Sequence, residues 1–247
     1  MPHFSTGGNN SAINTIFEWN ETDLTQFEEV YRDTGADGVL SVTTNTSEPY
    51  QQQLKFTTAG AGASRDWVIY RLLDDGGSPI VIPKRSRMSC RLGPRNNNVI
   101  PSPCPWYVDE EHRIFIQALS SPNSAMFLGV ANGGGVDVYS YDVASSVKTN
   151  FPTAGDYVFL DLDMRKPSTG VDPGGVAKWG GDFGDDVKSR LMSATGWSTD
   201  NGSTHPSTSW DAGWDGEVYA AIAFLDNNGA GGDTFISQLA ITEGIGF

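Results

Sequence analysis

Along most of this chain the side chains change character at every second residue, and this alternation restricts what it can fold into more than any other feature. In Tyr157–Asp163, Val158, Leu160 and Leu162 share one side while Asp161 and Asp163 take the other. That is the pattern of a strand with one buried and one wet face. The same period, or a short apolar run bounded by turn residues, marks 39–43, 54–58, 67–73, 80–82, 113–119, 125–131, 136–141, 218–225 and 234–242. Gly76-Gly77, Asn132-Gly133-Gly134-Gly135 and Asn227-Asn228-Gly229 are turn signals between runs. With 29 Gly and 13 Pro in 247 residues, many short strands are favoured over long helices. The expectation is a mostly β chain folded as an antiparallel two-sheet sandwich.

Helical spacing is confined to two stretches. Asp23 is placed to cap a short helix carrying Leu24, Phe27, Val30 and Tyr31 on one face, with Gly35 to end it. Asp185 or Asp186 is placed to cap a second, through Thr195, with Val187, Leu191 and Met192 on its face. Residues 1–20 read as an N-terminal arm and 21–247 as a single sandwich domain. Within it, about residues 165–216 form a loop excursion. That excursion holds Trp179, Trp197, Trp210 and Trp214, four of the seven tryptophans, and so many large aromatics argue for an ordered segment.

Composition narrows the function classes. Sixteen basic against 30 acidic residues give a net charge of −14, so the long-range field repels polyphosphates and anionic lipid. Nucleic acid and membrane are therefore not expected as partners. The opening Met-Pro-His-Phe-Ser-Thr-Gly-Gly has neither the basic nor the apolar region of a secretory signal, so synthesis in a cytoplasm is expected. In that setting Cys90 and Cys104 are expected as free thiols, although a bond between them would close a stabilising loop.

The order of elements resembles the concanavalin A-like jelly rolls. The resemblance is carried by a final strand, Thr234-Phe235-Ile236-Ser237-Gln238-Leu239-Ala240-Ile241, directly after the apolar Val218–Leu225. Met126–Asn132 followed by Val136-Asp137-Val138-Tyr139 is similar to that group's paired sheet-centre strands. It covers residues 39–163 and 217–243 and implies a fold, not a function. Asn-, Gly-, Ser- and Thr-rich loops resemble those of tailed-phage particle proteins. That resemblance implies a virion component: a capsid decoration, fibre-base or collar protein that forms homo-oligomers and contacts capsid or tail-vertex chains.

Candidate chemistry is sparse. Glycan cleavage needs two carboxylates flanking the scissile bond. Asp161 with Asp163, and Asp109-Glu110-Glu111, are the nearest candidates, but no glycosidase or lyase motif surrounds them, so no catalytic residue and no cofactor is expected. Asp211, Asp215 and Glu217 sit at a Gly-containing turn that could offer oxygens to a hard cation, without the last Glu of an EF-hand loop. Trp179, Trp197, Trp210 and Trp214 are candidates for stacking on host glycans, the alternative to a purely structural role. Finally, Gly76–Val108 contains no acid and holds Lys84, Arg85, Arg87, Arg91 and Arg95. This segregated charge is a candidate for docking onto an acidic partner surface.

Overall fold

The computed structural model describes residues 14–19, 23–44, 52–60, 66–83, 85–92, 98–110, 112–119, 125–132, 136–141, 158–165, 174–181, 192–195, 217–226 and 230–243. Among them run fifteen strands and no helix. They are β1 Asn14–Glu18, β2 Phe27–Arg32, β3 Val39–Thr44, β4 Gln52–Thr58, β5 Asp66–Leu72, β6 Arg85–Leu92, β7 Val99–Tyr107, β8 His112–Leu119, β9 Ala125–Asn132, β10 Val136–Tyr141, β11 Val158–Arg165, β12 Gly174–Gly181, β13 Met192–Thr195, β14 Tyr219–Asp226 and β15 Gly232–Glu243.

These strands form two antiparallel sheets. One has the order β13-β12-β11-β6-β15-β4-β3, with β1 also on β15, and the other the order β10-β9-β8-β7-β14-β5-β2. Strand β15 is long enough to serve two neighbours on one side: residues 232–236 pair with β4 and residues 240–243 with β1. Its other side pairs with β6 from Ile236 onward.

The core lies between the sheets, where Phe56, Met88 and Ile236 of the first meet Tyr70, Ile222 and Phe224 of the second. At its centre the rings of Phe56 and Phe224 stack at 4.3 Å, and Tyr70 meets both edge-on. Alternation then dictates what turns outward: Lys55, opposite Phe56's side of β4, pairs with Asp233 at 2.8 Å and lies over Phe235.

Several expectations are corrected. The helix expected from Asp23 is a tight turn followed by a strand. The Asp23 carboxylate accepts the Thr25 N–H at 2.8 Å, Leu24 C=O accepts the Phe27 N–H, and the chain then leaves as β2 along β5. A bulge between Glu29 and Tyr31 resets the alternation, so an apolar spacing of three and four arises from a strand. Gly35 lies in a turn closed by the Ala36 N–H on Asp33 C=O. Of the second expected helix, Met192–Thr195 is strand β13; residues 185–191 are outside the described residues.

The expected arm, 1–20, contains β1, whose Phe17 is buried, as is Trp19 just beyond it. The expected excursion at 165–216 contains β12 and β13, which extend the first sheet from β11. Residues 80–82 join the second sheet only through isolated contacts, such as the Ile82 N–H on Val218 C=O.

No strand is expected in the acid-free stretch after residue 82. It nevertheless supplies β6 and β7, one strand to each sheet. Pro101, Pro103 and Pro105 sit at alternate positions of β7, so the amide donors they lack all belong to the same side. The other side pairs with β14 from Val99 to Cys104, whereas β8 pairs only with Trp106 and Tyr107. Neither cysteine is in a disulfide and both are buried, Cys90 in the inter-sheet core and Cys104 on the far face of the second sheet.

Candidate functional site

The second sheet carries apolar side chains on both faces. Val68, Tyr70 and Leu72 of β5 and Ile222 and Phe224 of β14 enter the main core. The intervening Ile69, Ala221 and Ala223 form a second cluster on the outer face with Cys104, Tyr107 and Phe115. Tyr31, Trp67 and Tyr219 pack at the margin of this cluster and are only half-buried. The outer face thus has a dry floor and a partly open aromatic border along β2, β5 and β14.

Polar groups fix that border. The Arg71 guanidinium donates to Glu28 at 2.6 Å and lies 5.3 Å from the Tyr219 ring centroid. Tyr219 donates its hydroxyl to the Glu217 carboxylate at 3.0 Å, a bond that raises the phenol's pKa. Trp67 meets Phe115 edge-on at 5.1 Å, and the buried Arg113 guanidinium lies 4.8 Å from the Trp67 centroid while donating to Glu110 C=O.

Asp33 ties β2 to β5 at the other end: one oxygen accepts the Tyr31 hydroxyl at 2.5 Å and the other the Trp67 N–H at 2.6 Å. The first of these bonds, with burial, pushes the Tyr31 phenol up to about 12. Half-exposed rings flanked by a fixed guanidinium and carboxylates offer a stacking surface and directed hydrogen bonds together.

The sequence candidates fall elsewhere. Trp197, Trp210, Trp214, Asp211, Asp215, Lys84 and Arg95 lie outside the described residues. Trp179 occupies a strand position in β12, opposite Leu160 of β11 and Met192 of β13. Glu217 is exposed and its described partner is Tyr219; among the described residues no group of three or more acids, His or Cys is placed to hold a metal ion.

Arg85 and Arg87 belong to β6, opposite Arg165 and Asp163 of β11. Arg91 is 5% exposed and donates to Ser237 Oγ at 3.0 Å, so its guanidinium is turned into the protein. The irregularity of β15 between Ile236 and Gln238 places Ser237 beside this guanidinium. Asp161 and Asp163 lie opposite Ser89 and Arg87 on the first sheet; Glu111 is outside the described residues.

The sheet orders and the inter-sheet core make a concanavalin A-like jelly-roll sandwich. The chain matches no family model and none of the curated proteins. Among solved structures it is similar to endo-β-1,4-glucuronan lyase from the fungus Trichoderma reesei, at 11% identity and a TM-score of 0.50 over 95% of each chain. It is also similar to peanut lectin in complex with a nine-residue peptide, at 11% identity and a TM-score of 0.44 over 96% of this chain and 100% of that one. A third similar structure is the CBM2 module of the evolved Dit of Lactobacillus casei BL23 phage J-1, at 10% identity and a TM-score of 0.42 over 95% of this chain and 98% of the module. At these identities the likeness is one of fold.

Proposed function

We propose that this chain is a non-catalytic glycan-binding sandwich that engages a sugar chain along the strip formed by Trp67, Arg71 and Tyr219. The observation that carries the reading is the half-exposed aromatic border of the second sheet, braced by the Arg71–Glu28 pair. Pyranose rings present apolar C–H faces that stack on aromatic rings, and hydroxyls that bond to a guanidinium and carboxylates. The brace matters because Arg71 is held from both sides before any ligand arrives, which lowers the ordering cost of binding. The likeness to the lyase concerns the fold; the polysaccharide reading stands on the strip itself. Its setting, in our proposal, is attachment: a homo-oligomeric component of a bacteriophage particle, assembled with capsid or tail-vertex chains and presenting this face to host glycans.

The test is fluorescence titration of the purified protein with soluble oligosaccharides, neutral and uronate-containing. Arg71→Met is expected to weaken binding about tenfold, the loss of one charge-assisted hydrogen bond. Binding that is untouched by this substitution rejects the strip. Accumulation of new chain ends in the bound oligosaccharide rejects the non-catalytic half of the proposal.

A further inference from the structure

A separate groove of about 500 Å³ opens between β1 and the turn after β5. Its described lining includes the carboxylates of Glu18, Asp74 and Asp75, together with Gln26 and Thr15, and no basic residue. None of the described ion pairs uses these three carboxylates. Asp74 holds the turn, one oxygen accepting the N–H groups of Gly76 and Ser78 at 2.9 and 2.8 Å.

Gln26 is the telling residue. It is 6% exposed, its amide nitrogen donates to Asp75 at 3.1 Å, and its side-chain oxygen Oε1 is buried with no hydrogen-bond partner among the described residues. A buried carbonyl left unpaired costs about 1–3 kcal/mol, so the site is built for a donor. The charged groups in the groove's described lining are all carboxylates. A metal ion would need three or more ligands converging on one point, and the described residues provide no such group.

We propose that this groove binds an organic cation, an ammonium or guanidinium group that donates to Gln26 Oε1 while the carboxylates of Asp75 and Glu18 balance its charge. This chemistry belongs equally to a free polyamine and to a Lys or Arg side chain of a partner chain, and the two are separated by the probes used. It does not depend on the glycan reading.

Spermidine and a capped Gly-Arg-Gly peptide are each titrated calorimetrically into the full chain at low salt. Asp75→Asn and Glu18→Gln keep the side-chain shape and the Gln26 hydrogen bond while removing charge. Each is expected to weaken binding about fivefold, and the pair about twentyfold, with an unchanged melting temperature. Asp233→Asn, at the opposite end of β15, is the control for diffuse attraction by a chain of net charge −14. Binding of spermidine alone assigns a free polyamine; binding of the peptide assigns a partner side chain. Failure of both probes, or an equal loss with Asp233→Asn and Asp75→Asn, overturns the proposal.

Discussion

Gly38→Ala tests the packing account at one atom. A Cβ at residue 38 would stand 2.0 Å from Phe56 Cζ and 2.4 Å from Cε1, well inside van der Waals contact. The Phe56 ring has little freedom to retreat, since Phe224 stacks on it at 4.3 Å and Tyr70 meets its edge. Overpacking of this kind costs about 1–3 kcal/mol, partly offset by about 0.4–1 kcal/mol because alanine restricts the unfolded chain. We expect a net loss of about 1–2 kcal/mol, seen in urea unfolding followed by tryptophan fluorescence as a midpoint lower by roughly half to one molar. Phe56→Leu alone loses ring burial and two aromatic contacts and costs about 1–2 kcal/mol. In that background the obstructing ring is gone, so Gly38→Ala is expected to cost less than about 0.5 kcal/mol. An equal cost of Gly38→Ala in both backgrounds would refute the argument, because the two residues would then not share a contact.

Other consequences follow from burial. Cys104, fully buried with its thiol pushed up to about 12 by desolvation, and Cys90 in the core should resist a thiol reagent in the native state and react at the unfolding rate. Tyr31 and Tyr70 are pushed up to about 12 and Tyr107 is raised further by burial. Because an unfolded phenol ionises near 10, these groups stabilise the native state fully below that pH and lose the contribution as pH rises through 10 to 12. An ultraviolet titration should show them ionising only well above pH 10, later than an unfolded phenol. Arg91→Gln should lower stability by about 1.5–3 kcal/mol through the lost buried bond to Ser237, and leave oligomer mass unchanged at low and moderate salt. A salt-dependent change in mass would instead restore Arg91 to a docking role.

The legible part of the fold was the part where burial is one-sided. In β4 the buried Leu54 and Phe56 alternate with the half-buried Lys55 and Thr57, and the sheet face follows directly. Strand β7 was illegible because prolines are depleted inside strands, whereas the alternate spacing of these three confines their missing donors to one side. Strand β2 was misread because a bulge counterfeits helical spacing.

The candidate strip was hidden for a related reason. Both faces of β5 are apolar, so the alternation of Trp67, Ile69 and Arg71 with Val68, Tyr70 and Leu72 does not say which set faces out. The available signal was Arg71 itself: a base inside an apolar run marks the outer side, and Trp67 lies four residues before it on the same face.

The most direct test of the central claim is a glycan microarray probed with the labelled wild-type protein beside a Trp67→Ala/Tyr219→Ala double variant shown to be folded. The account predicts binding to at least one class of glycan by the wild type and loss of that signal in the double variant, since both stacking rings are removed. Wild-type binding that persists undiminished in the double variant, or an array to which the wild type does not bind at all, would contradict it.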